Sequence, residues 1–135
     1  MKEIVNLGPP PVNPYSRVVK AGGLIYLSGV LSQNQSGEVL HKGDVAAQTR
    51  DVLERMGRTL DAVGSSLAQV VSATVYLTSQ SDFQTMNAAY REFWPSDPPT
   101  RTTVITDLVA PGGLIEITTI TPSGSPMAMR STIST

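Results

Sequence analysis

The chain of 135 residues has no cysteine, one histidine and one tryptophan, and aromatic residues make up only 5% of it. Without cysteine there is no disulfide, no thiolate metal ligand and no thiol nucleophile. The lone histidine, His41, excludes a multi-histidine metal centre and leaves a single base for Ser-His chemistry. No serine stands in a G-x-S-x-G elbow, no acidic cluster has metal-loop spacing and no glycine run resembles a phosphate loop. Charge is sparse and balanced: ten Lys plus Arg against eleven Asp plus Glu give a formal net charge of −1. With no basic block, a dedicated nucleic-acid or anionic-membrane surface is not expected. No run approaches the roughly 18 apolar residues of a membrane span, and the N-terminus lacks an apolar signal region. The expectation is therefore a cytoplasmic protein, and Asn34-Gln35-Ser36 is read as a chance match to a glycosylation acceptor.

What remains suits one folded domain. A chain of this length buries about two-thirds of its unfolded surface, and 40% hydrophobic residues supply a core. Pro9, Pro10, Pro11 and Pro14 make residues 1–13 an extended lead-in. The stretch from Pro122 through Pro126 to Thr135 has few large apolar groups and reads as a disordered tail over 122–135. Between them, Arg17–Ala21 and Leu24–Val30 read as strands joined at Gly22-Gly23. Asp44 is positioned to cap a helix with the apolar stripe Val45, Val52, Leu53, Met56, Leu60 and Val63, stopped at Gly64. Val70–Leu77 has strand composition. Ser81 or Asp82 then caps a second helix carrying Phe83, Met86, Tyr90, Phe93 and Trp94. Arg101–Thr106 and Leu114–Thr121 are further strands around a Pro111-Gly112-Gly113 turn. The order predicts an α+β domain, one mixed sheet covered on one face by two helices. The second sheet face then needs a partner subunit, so an oligomer is expected.

The informative residues are polar ones in apolar patterns. Strand alternation puts Glu116 on the side of Leu114, Thr118 and Ile120, away from Ile115 and Ile117. If the strand is buried, desolvation raises the carboxyl pKa and suits it to proton transfer; if it is an edge, Glu116 faces water. Arg101 has Thr103 beside it on one face, a small anion pocket or a solvated strand end. Asn87 interrupts the apolar stripe of the second helix as a hydrogen-bond hub or a substrate contact. Ser28-Gly29 ends an apolar strand where glycine permits close backbone approach. Tyr15 either lies over a pocket mouth or anchors the lead-in. His41, in a loop, reads as exposed.

Taken together, Pro14-Tyr-Ser, Gly23-Leu-Ile-Tyr-Leu-Ser-Gly29, Gln48-Thr49, Val70-Val-Ser-Ala-Thr-Val-Tyr-Leu77, Asp82-Phe83, Asn87-Ala-Ala-Tyr90, Pro99-Thr-Arg-Thr-Thr-Val104 and Ile115-Glu-Ile117 closely resemble the reactive-intermediate deaminase (RidA, YjgF) family. The likeness runs in order from about Pro14 to Thr121, giving a domain over 14–121. It implies a chorismate-mutase-like fold assembled as a homotrimer with clefts between subunits. It also implies hydrolysis of enamines and imines such as 2-aminoacrylate to a 2-keto acid and ammonia (the 2-iminobutanoate/2-iminopropanoate deaminase type), with no cofactor and no metal. On that resemblance Arg101 matches the arginine that binds the substrate carboxylate and Glu116 the acid that activates water. Tyr15, Ser28, Gly29 and Asn87 match cleft positions. Thr103 stands where the family commonly has cysteine, and Thr118 where many relatives have a second acid.

Other readings stay open at this stage. One is a pathway-dedicated deaminase acting on a 2-aminomuconate-like enamine; another is a non-catalytic binder of small carboxylates, against which Arg101 weighs. Ribonuclease or translation-inhibitor activity fits least, because the first helix sets Arg55 and Arg58 four residues after Asp51 and Glu54 and the net charge is −1.

Overall fold

The structure, a computed structural model, describes residues 1–124. Its sheet is built from β1 (Glu3–Val5), β2 (Val18–Ala21), β3 (Leu24–Leu31), β4 (Ser72–Leu77), β5 (Thr100–Ile105) and β6 (Ile115–Pro122). The spatial order is β1-β2-β3-β6-β4-β5, with β4 and β5 parallel and every other pair antiparallel. Two helices, α1 (Val45–Ala62) and α2 (Phe83–Arg91), follow β3 and β4. Each helix carries the chain over to a strand of the same direction, and the last strand, β6, fills the gap between β3 and β4. The domain is α+β with the anticipated mixed sheet and two helices.

The alternation of β6 decides which face is core. Ile115, Ile117, Thr119 and Thr121 are buried on the helix side, level with Val75 and Leu77 of β4 and Ile25 and Leu27 of β3. Val52, Leu53, Met56 and Leu60 of α1 meet them, all fully buried at the helical spacing of one apolar stripe. Asp44 starts this helix by accepting the Ala47 amide at 3.0 Å, and Gly64, at φ 86°, takes the left-handed conformation just past its end. Lys20 crosses from β2 to donate to the Val63 carbonyl at 3.0 Å.

Gln48 is the most heavily bonded buried side chain. Its Nε2 donates to the carbonyls of Leu40, His41 and Gly112, and its Oε1 accepts the Leu114 amide at 2.8 Å. It therefore fixes the loop before α1 to the entry of β6.

Four local details depart from expectation. Residues 1–13 are not only a lead-in, because Glu3, Ile4 and Val5 pair with Lys20, Val19 and Val18 and extend the sheet. Neither Ser81 nor Asp82 caps α2 through its side chain: Ser79 Oγ accepts the Ser81 amide, capping a short 3₁₀ turn (Gln80–Asp82) that leads into the helix. Helix α2 also stops at Arg91, so Phe93 and Trp94 pack from the segment beyond it. At the other end β6 takes in Pro122, and the tail from residue 125 onward lies outside the described residues. No helix among the described residues is long and apolar enough to cross a membrane.

Candidate functional site

Arg101 lies on the edge strand β5, in register with buried Ala73 of β4, and Thr103 is in register with Val75. Both therefore point to the helix-covered side, where α2 ends above them. Asn87, Tyr90 and Arg91 come from consecutive turns of that helix, since positions three and four apart share a face. The Arg101 guanidinium sits 4.9 Å from the centre of the Tyr90 ring and 5.7 Å from that of Phe83. Two aromatic faces thus support the cation without neutralising it. Tyr90 is itself held by Trp94, whose ring centre lies 4.8 Å away and whose indole N–H donates to the Leu67 carbonyl at 2.9 Å. Burial pushes the Tyr90 hydroxyl pKa up, against a smaller opposing pull from Arg101.

Beside this cation opens a cleft of about 240 Å³ whose walls are Asn87, Tyr90, Arg91, Trp94, the Pro98-Pro99 pair and Arg101. Among the described residues, the buried polar atoms Asn87 Oδ1, Tyr90 Oη and Thr103 Oγ1 have no hydrogen-bond partner. Unpartnered buried polar atoms are few in folded proteins, and three belong to residues that surround Arg101.

Glu116 occupies a different setting. Strand β6 is central, so the exposed-edge alternative does not hold: Glu116 is flanked by Leu31 of β3 and Tyr76 of β4. It lies on the face that the helices leave open. Desolvation raises its carboxyl pKa above the ordinary carboxylate value. A bulge between Leu27 and Val30 places Gly29 under the carboxylate: a Cβ there would fall 1.9 Å from Glu116 Oε2. Any side chain here would therefore displace the Glu116 carboxylate from its present position. Ser28 next to it donates Oγ to the Ser16 carbonyl at 2.5 Å, and its amide donates to the Arg17 carbonyl at 3.0 Å. These bonds hold the lead-in against β3 and place Tyr15, 52% exposed, at the rim of a second, smaller hollow of about 100 Å³.

The sequence-derived residues therefore fall into two sets. Arg101, Thr103 and Asn87 gather on the helix side of β5; Glu116, Gly29, Ser28 and Tyr15 belong to the β3/β6 region and the lead-in. Arg101 and Glu116 lie on opposite faces of one sheet, so within one chain they do not share a pocket. His41 belongs to neither set; it is exposed in the turn before α1 and contributes its carbonyl to Gln48. Sequence reasoning missed Tyr90, Phe83 and Arg91 as neighbours of Arg101. The aromatic pair read as core stripe, and only Arg91, four residues after Asn87, carried a usable signal.

Comparison with known proteins gives the family and the fold. The profile of the Endoribonuclease L-PSP family matches residues 6–122. The 3-aminoacrylate deaminase RutC of Acinetobacter baylyi is 39% identical over 112 residues, covering 83% of this chain and 89% of that protein. A RutC family protein of Pyrococcus horikoshii is 38% identical over 123 residues, covering 89% of this chain and 97% of its own length. Among solved structures, a Mycobacterium tuberculosis member of the YjgF/YER057c/UK114 family superposes with a TM-score of 0.76 at 29% identity, covering 90% of this chain and 99% of that one. A Neisseria meningitidis member of the YjgF family gives a TM-score of 0.71 at 34% identity, covering 84% of this chain and 92% of that one. With its fold, its ordered motifs and a match over nearly all the described residues, the chain belongs to the Endoribonuclease L-PSP family, the family of the YjgF and RidA proteins.

Proposed function

We propose that this protein hydrolyses enamine and imine acids, such as 2-aminoacrylate and its imine tautomer, to 2-keto acids and ammonia. The observation that carries the reading is Arg101, a guanidinium held on two rings beside a small cleft with no carboxylate partner among the described residues. Such a group is set up to take an incoming carboxylate in a bidentate, charge-assisted grip. The deaminase relative that is 39% identical supports the same chemistry.

The steps balance without another reactant. The enamine takes a proton at its terminal carbon and becomes the imine, whose carboxylate Arg101 holds. Water adds to the imine carbon, giving its proton to nitrogen through Glu116, and forms a carbinolamine. The nitrogen, protonated once more, leaves as ammonia while the hydroxyl loses its proton, so the C–N bond breaks as the C=O bond forms. A carboxyl whose pKa is raised by desolvation is a better base than an ordinary carboxylate and suited to passing these protons, a contribution of about 10²–10⁴-fold. Tyr15, Ser28, Gly29, Asn87 and Thr103 would line the reacting space.

Because Arg101 and Glu116 face opposite sides of the sheet, the reading requires two copies. The open face also carries exposed Ile4, Tyr26 and Val104 across β1, β3 and β5, which a second copy would cover. A homotrimer with its sites between subunits meets both needs. A ribonuclease role has less physical support: Arg50 and Arg55 are held by Glu92 and Asp51 at 2.8 and 2.9 Å, and the net charge is −1.

The test generates 2-aminoacrylate with a serine dehydratase in the presence of semicarbazide. The protein should divert the imine from trapping, and Arg101→Ala should not. Unchanged trapping with the wild-type protein, or equal diversion by the variant, would overturn the reading.

A further inference from the structure

The cleft beside Arg101 holds a second arginine. Arg91 lies four residues after Asn87 on α2 and lines the same cavity of about 240 Å³. Neither arginine has an ion-pair partner or donates a side-chain hydrogen bond among the described residues. The acid adjacent in sequence, Glu92, pairs with Arg50. It accepts Arg50 Nε at 3.1 Å and Nη2 at 2.8 Å, a bidentate bond that ties it to α1. Among the described residues of one chain no Asp or Glu lines the cleft, whose other walls are Asn87, Tyr90, Trp94, Pro98 and Pro99. Two like charges on one cleft, Arg101 half-buried and Arg91 exposed, attract an anion more strongly than either alone, since each adds to the local potential.

From this we propose that the ligand of this cleft carries two anionic groups: Arg101 takes the carboxylate next to the reacting carbon, and Arg91 takes a distal one. The inference rests on the deaminase reading for the site and adds the substrate class, an enamine or imine diacid rather than a monocarboxylate. Arg91 is then a specificity-determining residue. The competing role for Arg91 is that of a cation stabilising the C-terminal turn of α2, which would affect stability and not choice of ligand.

Stable keto acids separate the two roles. Binding of 2-oxoglutarate and of 2-oxobutanoate is measured by titration calorimetry on the wild-type protein, Arg91→Ala, Arg91→Lys and the control Arg58→Ala, an exposed arginine of α1. The wild type should bind the diacid more tightly. Arg91→Ala should weaken the diacid by about tenfold or more, as expected for loss of a charge-assisted contact, and the monoacid far less. Arg91→Lys should recover part of the preference, and Arg58→Ala should match wild type. Equal weakening of both acids, no weakening, or no binding of either acid overturns the proposal. Because the readout is binding, it can fail while semicarbazide diversion succeeds, and the reverse.

Discussion

The two faces of the sheet are made by the same alternating strands and end up with opposite properties. On the helix side, α1 and α2 close over Ile115, Ile117, Val75 and Leu77, and the guanidinium of Arg101 meets the Tyr90 ring at the rim. On the open side a carboxylate stands in the middle of the sheet, partly desolvated and unpaired, next to a glycine that makes room for it. The closed face has the cation and the small cleft. The open face has the acid and lacks a lid. The difference teaches that the sheet keeps Arg101 and Glu116 apart within one chain, so the proposed reaction has to draw on more than one copy.

Complementation breaks that comparison most directly. Arg101→Ala and Glu116→Gln should each reduce turnover by about 10²–10⁴-fold. If every site takes its arginine from one copy and its acid from another, co-refolding the two variants in equal amounts should restore about a quarter of the wild-type rate by random pairing. Recovery to no more than the average of the separate variants would place both residues in one chain's site and contradict the division between faces.

Gly29→Ala probes the open face alone. The added methyl would lie 1.9 Å from Glu116 Oε2, so the carboxylate must move. Misplacement of about 1 Å costs on the order of 10²-fold in rate, and kcat should fall with little change in carboxylate affinity at Arg101. A variant with wild-type kcat would show that the position of Glu116 is not critical.

Acidity distinguishes the faces by stability. Since the folded state raises the pKa of Glu116, its ionisation weakens folding: the contribution to stability is fully present below the unfolded carboxyl pKa, roughly 4.3, and is lost as pH rises through the folded value. Glu116→Gln should therefore raise the melting temperature at neutral pH, and the gain should vanish below about pH 4. A gain that persists in acid would assign it to something other than charge.

The smallest effect is expected on the closed face. Tyr90→Phe keeps the ring under Arg101 and removes a buried hydroxyl that has no partner, so stability should change by no more than about 0.5 kcal/mol, or rise. Tyr90→Leu, which removes the ring, should by contrast weaken keto-acid binding. If Tyr90→Phe weakens it as much, the hydroxyl and not the ring supports the site.

Much of this was legible in the chain because it depends on period. Alternation in β6 separates Glu116 from Ile115 and Ile117, and the spacing of Val52, Leu53, Met56 and Leu60 marks the buried stripe of α1. What period cannot supply is adjacency. Nothing in Leu114–Thr121 says that the last strand inserts between β3 and β4, the fact that makes Glu116 central instead of marginal. Tyr90 looked like core because it is core; its second use, under a guanidinium eleven residues later in the chain, follows from the parallel pairing of β4 with β5. The strand β1 was hidden because the prolines after it gave the whole lead-in the composition of an irregular segment, while only three residues were needed to pair with β2.

The amide of Gln48 has a consequence for how this sequence can drift. A methionine or leucine would fill nearly the same volume in the core, and by hydropathy either would look like an improvement. Yet each would abandon three carbonyls and one amide of two separate loops, deep in the protein where water does not replace the lost partner. The position is therefore closed to the apolar residues that surround it, and a polar residue in the middle of a hydrophobic stripe is what keeps the entry to β6, and with it the acid two residues inside that strand, in place.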